Sequence, residues 1–487
     1  MTKYSLLTGS TGLVGRYLMR DMLLNGQRLA LIVRPNKRET AAERIEAICQ
    51  FWEAEIGKPL SRPVVLSGNI TDPGVVSEED RKWIAEHCHR MIHSAAILEF
   101  FGKDREREPW RTNLNGTRNI LELCRETGLR DMHYISTAYV AGLQDERVME
   151  EQLDNGQEFR NDYEESKFEA EKLVREAEFL DPPTVYRPAV IAGDYNTGYT
   201  NTYHGIYLYL RLLAMMVPEL PVDEQGRRLT PIKLNMTGRE KRNIIPVDWV
   251  SAATSRLLEM PEAKGKTFHL APKEPMTAKE IIEWCAEYFN TVGYEYCGDD
   301  PDFDASSSQE EDFAAMLIPN LATYQAYERT DNTYDLTNLE AFLPDLPAPK
   351  IDKTTLHRFI EFGENDKWGK GRSPKAVVAF DVSSYLKQNA SEPAADGTQI
   401  GLDISGPGGG QFSVIVAGGK FGSAERGLPI DDNTPVLHMQ VDNFAAMSAG
   451  AGADSSESWH GEPADELVEQ ASQALFAQSL TAADKQG

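Results

Sequence analysis

The segment Tyr163-Glu-Glu-Ser-Lys167 sets a phenol and an amine four residues apart, a spacing that puts both on one face of a helix. A lysine cation beside a phenol favours the phenolate, so Lys167 is expected to lower the Tyr163 pKa toward the range of a working acid or base. A solvated Tyr–Lys pair on an exposed helix has the same spacing. Far upstream, Thr8-Gly9-Ser10-Thr11-Gly12-Leu13-Val14-Gly15 combines three glycines with the start of a helical pattern. Such glycines let backbone pass close to a pyrophosphate, and a helix N-terminus offers it free N–H groups and the positive end of its dipole. In this order, the two segments point to hydride transfer from a dinucleotide.

Residues of this kind need a sheet to hold them. Residues 4–8 read as a strand, and an amphipathic helix follows through Tyr17, Leu18, Met22 and Leu23. Further strands are expected over 28–33, 63–70, 91–96 and 131–137, with a helix continuing through 119–124. The apolar run 28–33 suits a buried parallel strand. The run 91–96 ends in Ser94-Ala95-Ala96, small enough for a cofactor to lie close, and 131–137 ends in Ser136-Thr137. Beyond the Tyr163 helix, strands are expected over 184–188 and 244–248. Strands alternating with helices define a doubly wound α/β sheet whose ligands sit beyond the strand C-termini. Between the last two strands, 203–217 is unusually apolar around His204 and Arg211. It reads either as the wall of a greasy substrate channel or as a core helix of a smaller lobe. The acidic, Ser-rich stretch 299–312 reads as a mobile loop.

The 487 residues exceed the usual single hydrophobic core, which predicts two or three domains. The net charge of −26, from 50 basic against 76 acidic residues, argues against nucleic acid or an anionic membrane bound through a basic face. No apolar run is long enough to span a bilayer, and Tyr4-Ser5-Leu6-Leu7 follows no basic-then-apolar leader, so a cytoplasmic protein is expected. Peripheral membrane contact and an oligomer stay open. Cys49, Cys88, Cys124, Cys285 and Cys297 are scattered and read as reduced thiols. His87-Cys88-His89 with His93 fits no common zinc spacing, and no metal is expected. Past Lys367-Trp368-Gly369-Lys370-Gly371-Arg372 the chain turns rich in Ala, Gly, Ser and Asp, with five basic against fifteen acidic residues from Ser373 onward. Strand-like runs at 400–404 and 411–417 flank Gly406-Pro407-Gly408-Gly409-Gly410, a hairpin signal. A further strand is expected over 437–441 and a closing amphipathic helix over 464–480. This part is expected to be a small α+β binding module, linked to the first part rather than integral with it.

An ordered series of motifs runs through the first part. It comprises Thr8-Gly9-x-x-Gly12-x-x-Gly15, Val33-Arg34 with Arg44 ten residues on, His93-Ser94-Ala95-Ala96 and Asn113-x-x-Gly116-Thr117. It continues with Ile135-Ser136-Thr137-Ala138-Tyr139-Val140, Tyr163-x-x-Ser166-Lys167-x-x-Ala170-Glu171, Arg187-Pro188-x-x-x-x-Gly193-Asp194 and Ile245-Pro246-Val247-Asp248. With this series, residues 1–370 resemble the extended short-chain dehydrogenase/reductases. Within them the chain is most similar to the fatty acyl-CoA reductases and the thioester-reductase domains of carboxylic acid reductases. The resemblance implies a smaller substrate lobe drawn mainly from 195–240 and 270–370. It implies NADP(H), held by Thr8, Gly9, Ser10, Thr11, Gly12, Leu13 and Gly15, by Ser94, Ala95, Ala96 and Asn113, by Pro188 and Val190, and by Tyr163 and Lys167. Arg34 stands where an NAD-preferring fold usually carries an acidic residue, so Arg34 and Arg44 suit a 2′-phosphate. Asn69-Ile70 replaces the family's frequent Asp-Leu near the adenine.

The same resemblance implies roles at the reacting centre. Tyr163 would protonate or hydrogen-bond the substrate oxygen, and Lys167 would hold the nicotinamide ribose and keep Tyr163 acidic. Thr137 would give that oxygen a second hydrogen bond, with Ser136 as its competitor. The implied substrate is a long-chain acyl thioester on CoA or a carrier protein, reduced to the aldehyde and, with a second hydride, to the alcohol. A 3β-hydroxysteroid-type dehydrogenase, or another enzyme of hydrophobic ketones, would use the same set. A sugar-nucleotide epimerase fits less well with the apolar 203–217 and with Arg34. A non-catalytic nucleotide- and lipid-binding protein is the remaining class. Ile404-Ser405-Gly406-Pro407-Gly408-Gly409-Gly410-Gln411-Phe412-Ser413-Val414 and Leu437-His438-Met439-Gln440-Val441-Asp442-Asn443-Phe444 give residues 373–487 a resemblance to the sterol-carrier-protein-2 family. That family's fold encloses an apolar tunnel for acyl chains or sterols, which would raise the local concentration of a poorly soluble substrate. A role in dimerisation or solubility is the alternative.

Overall fold

The computed structural model describes residues 2–144, 146–230, 233–298, 329–371, 375–391, 397–450, 458–460 and 465–476. Its centre is a seven-stranded sheet made of β1 (Tyr4–Thr8), β2 (Leu29–Val33), β3 (Val64–Ser67), β4 (Cys88–His93), β5 (Asp131–Ile135), β6 (Thr184–Pro188) and β7 (Thr267–Leu270). Every neighbouring pair in the order β7-β6-β5-β4-β1-β2-β3 is parallel. The strands β1, β2 and β6 are buried along their whole length, and β2, Leu-Ala-Leu-Ile-Val, accordingly reads as a continuous apolar run. Helices α1 (Leu13–Leu24), α2 (Ala41–Ile56), α3 (Glu78–His87), α4 (Gly116–Thr127) and α5 (Asp162–Arg175) connect them. The strand order reverses between β1 and β4, the place where such a sheet opens a crevice for a ligand.

Two expected strands end differently. β4 begins at Cys88 and stops at His93, so Ser94 to Ala96 leave the sheet. Thr8 draws that segment back, its Oγ1 accepting from the Ser94 and Ala95 amides at 3.2 Å each. The expected strand 244–248 stops at Pro246, where Val247 opens helix α7 (Val247–Leu258). A smaller lobe follows from α6 (Ile206–Met216), α8 (Ala278–Tyr288) and α9 (Lys353–Asn365), joined by four short strand pairs. Ile206, Tyr207, Leu210, Leu356, Phe359 and Ile360 form its core.

The C-terminal part has its own sheet. β8 (Thr398–Ser405) pairs antiparallel with β9 (Gly410–Ala417) and parallel with β10 (Val436–Gln440). Gly406 and Gly408 take φ of +94° and +85° in the intervening turn, a backbone that only glycine adopts cheaply. α10 (Val382–Asn389), α11 (Val441–Ser448) and the helix Asp465–Phe476 fill the inner face with Val382, Leu386, Phe444 and Phe476. The expected helix 464–480 runs past the described residues at its end, and the acidic stretch 299–312 lies outside them.

The expectation of a merely linked module is corrected. Tyr4 on β1 donates to Gln411 Oε1 at 2.8 Å and accepts from the Leu428 amide at 2.7 Å. The Trp83 indole donates to the Arg426 carbonyl at 2.9 Å, and Arg426 pairs with Asp80 at 2.7 Å. A Cβ on Gly427 would lie 2.9 Å from the Trp83 ring. The module is docked on β1 and α3 through buried polar and aromatic groups. Its docking partners sit hundreds of residues away in sequence, so the polar linker composition gave no sign of the contact.

Candidate active site

The glycine turn is built for close approach. Gly9 has φ +78°, and a Cβ there would lie 2.7 Å from the Ala95 amide nitrogen. At Gly15 a Cβ would meet the Gly9 carbonyl oxygen at 2.1 Å, so the turn, β4 and α1 pack on one another without side chains between them. A Cβ at Gly12 would meet only the Gly9 carbonyl, at 3.3 Å, and Gly12 caps α1 with no side-chain hydrogen bond. The first amides of α1 therefore stay available to an anion, and this cradle fits a dinucleotide pyrophosphate.

Tyr163 and Lys167 share one face of α5, whose start is capped by the Asn161 side chain accepting from the Glu164 amide at 3.1 Å. Tyr163 and Thr137 line the same cavity, and the Thr137 hydroxyl favours the ionised Tyr163 phenol. Ser136, its neighbour, points the other way and donates to Glu171 Oε2 at 2.6 Å. The two competing hydroxyls are thus divided between the reacting side and a buried ion network. In that network Glu171 accepts from Arg187 Nη2 at 2.6 Å and from Arg175 Nη2 at 2.8 Å.

The expected acidification of Tyr163 by Lys167 is corrected. Lys167 Nζ donates to the Tyr134 hydroxyl at 2.9 Å and to the Ile135 carbonyl at 2.8 Å, away from the Tyr163 phenol. Burial pushes the Tyr163 phenol up to about 12, with Thr137 pulling it back. Burial also brings the Lys167 amine down to about 7, against the pull of Glu171. An ammonium in a desolvated site loses more than a neighbouring phenol can return, so here the lysine yields its charge rather than imposing it.

Of the other residues named from sequence, Gly9, Gly12, Leu13, Gly15, Ser94, Ala96, Pro188 and Val190 line the same cavity as Thr137, Tyr163 and Lys167. Thr8 is fully buried and acts as the clasp between β1 and β4, its hydroxyl also 2.7 Å from His93 Nδ1. Asn113 is buried behind the cavity, donating to Ile97 O at 3.1 Å and Ser166 Oγ at 3.0 Å. It holds the loop after β4 in place rather than facing the cavity. Ser10 is buried in the turn, while Ala95 packs against the buried core beneath it. Thr11 accepts from Arg16 and Asn201 through its carbonyl, both at 3.3 Å. Asn69 and Ile70 form the turn after β3, and Ile70 is pressed against Gly116, whose Cβ would lie 2.9 Å from Ile70 Cδ1.

Arg34 is exposed at the end of β2, and Arg44 Nη1 donates to its carbonyl. Burial lowers the Arg44 pKa, and so do the guanidiniums of Arg34 and Arg16. Three cations therefore converge beside the glycine turn. The sequence reading missed Arg16, although its place directly after Gly15 was visible.

The cavity has a volume of about 1300 Å³ and continues from the glycine turn into the smaller lobe. Ile206, Leu210 and Leu213 of α6 form one wall, while Tyr207 and Met216 on the same helix are buried in the lobe. The helix in 203–217 is thus part of the lobe core and lines the cavity, with Ile206 and Leu210 in both. Ile281, Ile282 and Ala286 of α8 form a second apolar wall, and Arg242 and Asp331 lie on a polar edge.

Residues 7–254 match the male sterility protein family. The chain belongs to that family. It is 24% identical over 390 residues to a non-canonical nonribosomal peptide synthetase, hkm10, of Aspergillus hancockii, covering 73% of this chain and 36% of that protein. It is 25% identical over 236 residues to the fatty acyl-CoA reductase wat of Drosophila melanogaster, covering 41% of this chain and 45% of that one. The chain spans about a third of the length of the curated relatives it matches. Among solved structures, the terminal R domain of the myxalamid PKS-NRPS pathway superposes with a TM-score of 0.60 at 23% identity, over 76% of this chain and 92% of that one. A UDP-glucuronic acid 4-epimerase from Bacillus cereus, in complex with NAD, gives a TM-score of 0.51 at 18% identity over 76% of this chain and all of that one. The fold is that of the extended short-chain dehydrogenase/reductases.

In this male sterility family member, the matched stretch carries the glycine turn, Thr137, Tyr163, Lys167 and the first wall of the cavity. The α8 wall lies beyond it. Among the described residues no cluster of His, Cys, Asp and Glu could hold a metal, and no helix is long and apolar enough to cross a membrane.

Proposed function

We propose that this chain is an NADPH-dependent reductase of long-chain acyl thioesters carried on CoA or a carrier protein. One observation carries the reading: a single cavity joins the glycine turn, the Thr137–Tyr163 pair and an apolar channel with a polar edge. A thioester has one apolar end and one polar end, and a ketosteroid has no polar arm to lay along Arg242 and Asp331. The family and its acyl-CoA and peptide-synthetase relatives support the same class. The bound cofactor supplies the hydride that adds to the thioester carbonyl carbon. Tyr163 and Thr137 then hydrogen-bond the oxygen as its negative charge grows, and Tyr163 delivers a proton to it. Lys167, fixed by Tyr134 and Ile135, is set to hold the ribose. Collapse of the hemithioacetal expels the thiol and leaves the aldehyde; a second round would give the alcohol.

The choice of NADPH rests on Arg34, Arg44 and Arg16. Arg34→Glu is expected to weaken NADPH binding by one to two orders of magnitude (about 1.4 kcal/mol per tenfold) while leaving NADH binding nearly unchanged. Equal loss of both in a fluorescence titration would remove the phosphate-reading role. We assign residues 1–370 to the reductase and 373–487 to a lipid-binding module like sterol-carrier-protein-2, in a cytoplasmic protein. The test of the whole reading offers purified protein NADPH with palmitoyl-CoA, a palmitoyl carrier protein, palmitaldehyde or a 3-ketosteroid and follows nicotinamide absorbance. Thioester-dependent oxidation is expected, and turnover of the ketosteroid alone would refute it.

A further inference from the structure

The helix α8 lines the cavity with a long, partly buried apolar face. Ala278, Ile281, Ile282, Cys285, Ala286 and Phe289 all line the cavity, and their spacing of three and four places them on one side of the helix. The other side is fastened to α9 and to solvent. Glu287 pairs with Lys353 at 2.9 Å, the Tyr288 hydroxyl donates to Glu364 at 2.7 Å, and His357 Nε2 lies 2.8 Å from the Trp284 carbonyl. Cys285 also belongs to the lobe core, with Ile281 and Phe289 packed against that core, and the pairs with α9 hold the stripe in this orientation. The apolar surface that the stripe leaves facing the cavity forfeits roughly 25 cal/mol for each Å² kept against water, so an apolar ligand has a driving force to cover it.

The direction of the stripe follows from the strand pairs. Thr277 pairs with Lys241 and Met276 with Arg242, and shortly after them Ile244 pairs with Val190. Val190 comes two residues after Pro188, whose carbonyl accepts from Thr137 Oγ1 at 3.4 Å. The first turn of α8 is therefore on the catalytic side. Its last turn leads to Thr291, which pairs with Arg228 in the outer part of the lobe. From Ala278 to Phe289 is about 16 Å at 1.5 Å per residue. The Cys285 thiol is pushed up to about 12 by burial, so it takes part as an apolar surface rather than as a nucleophile.

We infer that the α8 face is the binding site for the straight acyl chain, with the chain end against Cys285, Ala286 and Phe289, which set the accepted length. This inference rests on the thioester reading and names the subsite that would hold the chain. The test uses full-length Ala286→Trp and Phe289→Ala, each checked for an unchanged Tm and NADPH affinity. The readout is the ratio of kcat/KM for palmitoyl-CoA to that for butyryl-CoA. Ala286→Trp is expected to lower the ratio by about tenfold or more, and Phe289→Ala to move the preferred chain to greater length. An unchanged ratio in both variants overturns the inference while leaving thioester reduction standing. A fluorescent hexadecanoic acid, titrated into wild type and Ala286→Trp, separates the two claims. Loss of one binding site in the variant, counted apart from any site in residues 373–487, supports the chain site even if wild type reduces no thioester; an unchanged number of sites overturns it.

Discussion

Tyr163→Phe is expected to lower kcat by about two to four orders of magnitude, the usual contribution of a positioned acid, with little change in stability. The substitution removes one hydroxyl beside Thr137, a loss of roughly 0.5–1.5 kcal/mol in a folded chain. The activity effect is larger because the phenol meets an oxygen whose charge grows only as the reaction proceeds. With the phenol pushed up to about 12 by burial, Tyr163 stays protonated through neutral pH and acts as a donor. Wild-type turnover should therefore not fall on the alkaline side of neutrality through loss of this proton. Thr137→Val should cost less, because it leaves the acid in place and removes only the second donor. If Tyr163→Phe keeps more than a tenth of wild-type kcat while its melting curve is unchanged, Tyr163 is not the acid.

β2 was legible because it is buried along its length and spells a continuous apolar run, while β1 and β6 are equally buried yet carry Ser5, Thr8, Thr184 and Arg187. Tyr163 and Lys167 were legible from their spacing of four on α5, and Thr137 only from the resemblance of its segment to the reductase family. Their protonation was not. The Lys167 charge is decided by its burial, which lowers its pKa against the pull of Glu171, and that burial is a property of the fold. The choice between Ser136 and Thr137 was equally out of reach, since it depends on which side of the strand end meets Glu171. The α8 wall has a helical apolar period in its sequence, but that period looks the same whether it faces a core or a cavity. The docking of the C-terminal module is the extreme case. Tyr4 reads as an ordinary core strand residue, and only the fold brings its hydroxyl to Gln411 and Leu428.

Glu171→Ala is expected to destabilise the protein by about 3–5 kcal/mol, the range for removing one member of a buried ion pair. Glu171 and Arg187 are both fully buried, and Arg187 Nη2, Arg175 Nη2 and the Ser136 hydroxyl all converge on the one carboxylate. Without it, Arg187 keeps only neutral acceptors, the Gln152 carbonyl at 2.8 Å and His269 Nε2 at 3.4 Å among them, and its charge stays buried without a counter-charge. Glu171→Gln keeps the shape and part of the hydrogen bonding but not the charge, so it should fall between wild type and Glu171→Ala. The pH dependence carries a definite sign. Although burial alone would raise it, the Glu171 carboxyl is brought down to about 2 by Arg187, Arg175 and Ser136. An acid depressed in the folded state stabilises it fully above the ordinary carboxylate range and loses that contribution as pH falls through that range toward 2. The gap in unfolding free energy between wild type and Glu171→Gln should therefore be flat near neutrality and close as the solution is acidified. Denaturant titrations at several pH values measure this directly. A gap that stays constant down to the acid limit would mean that Glu171 holds β6 and α5 together by shape and not by charge.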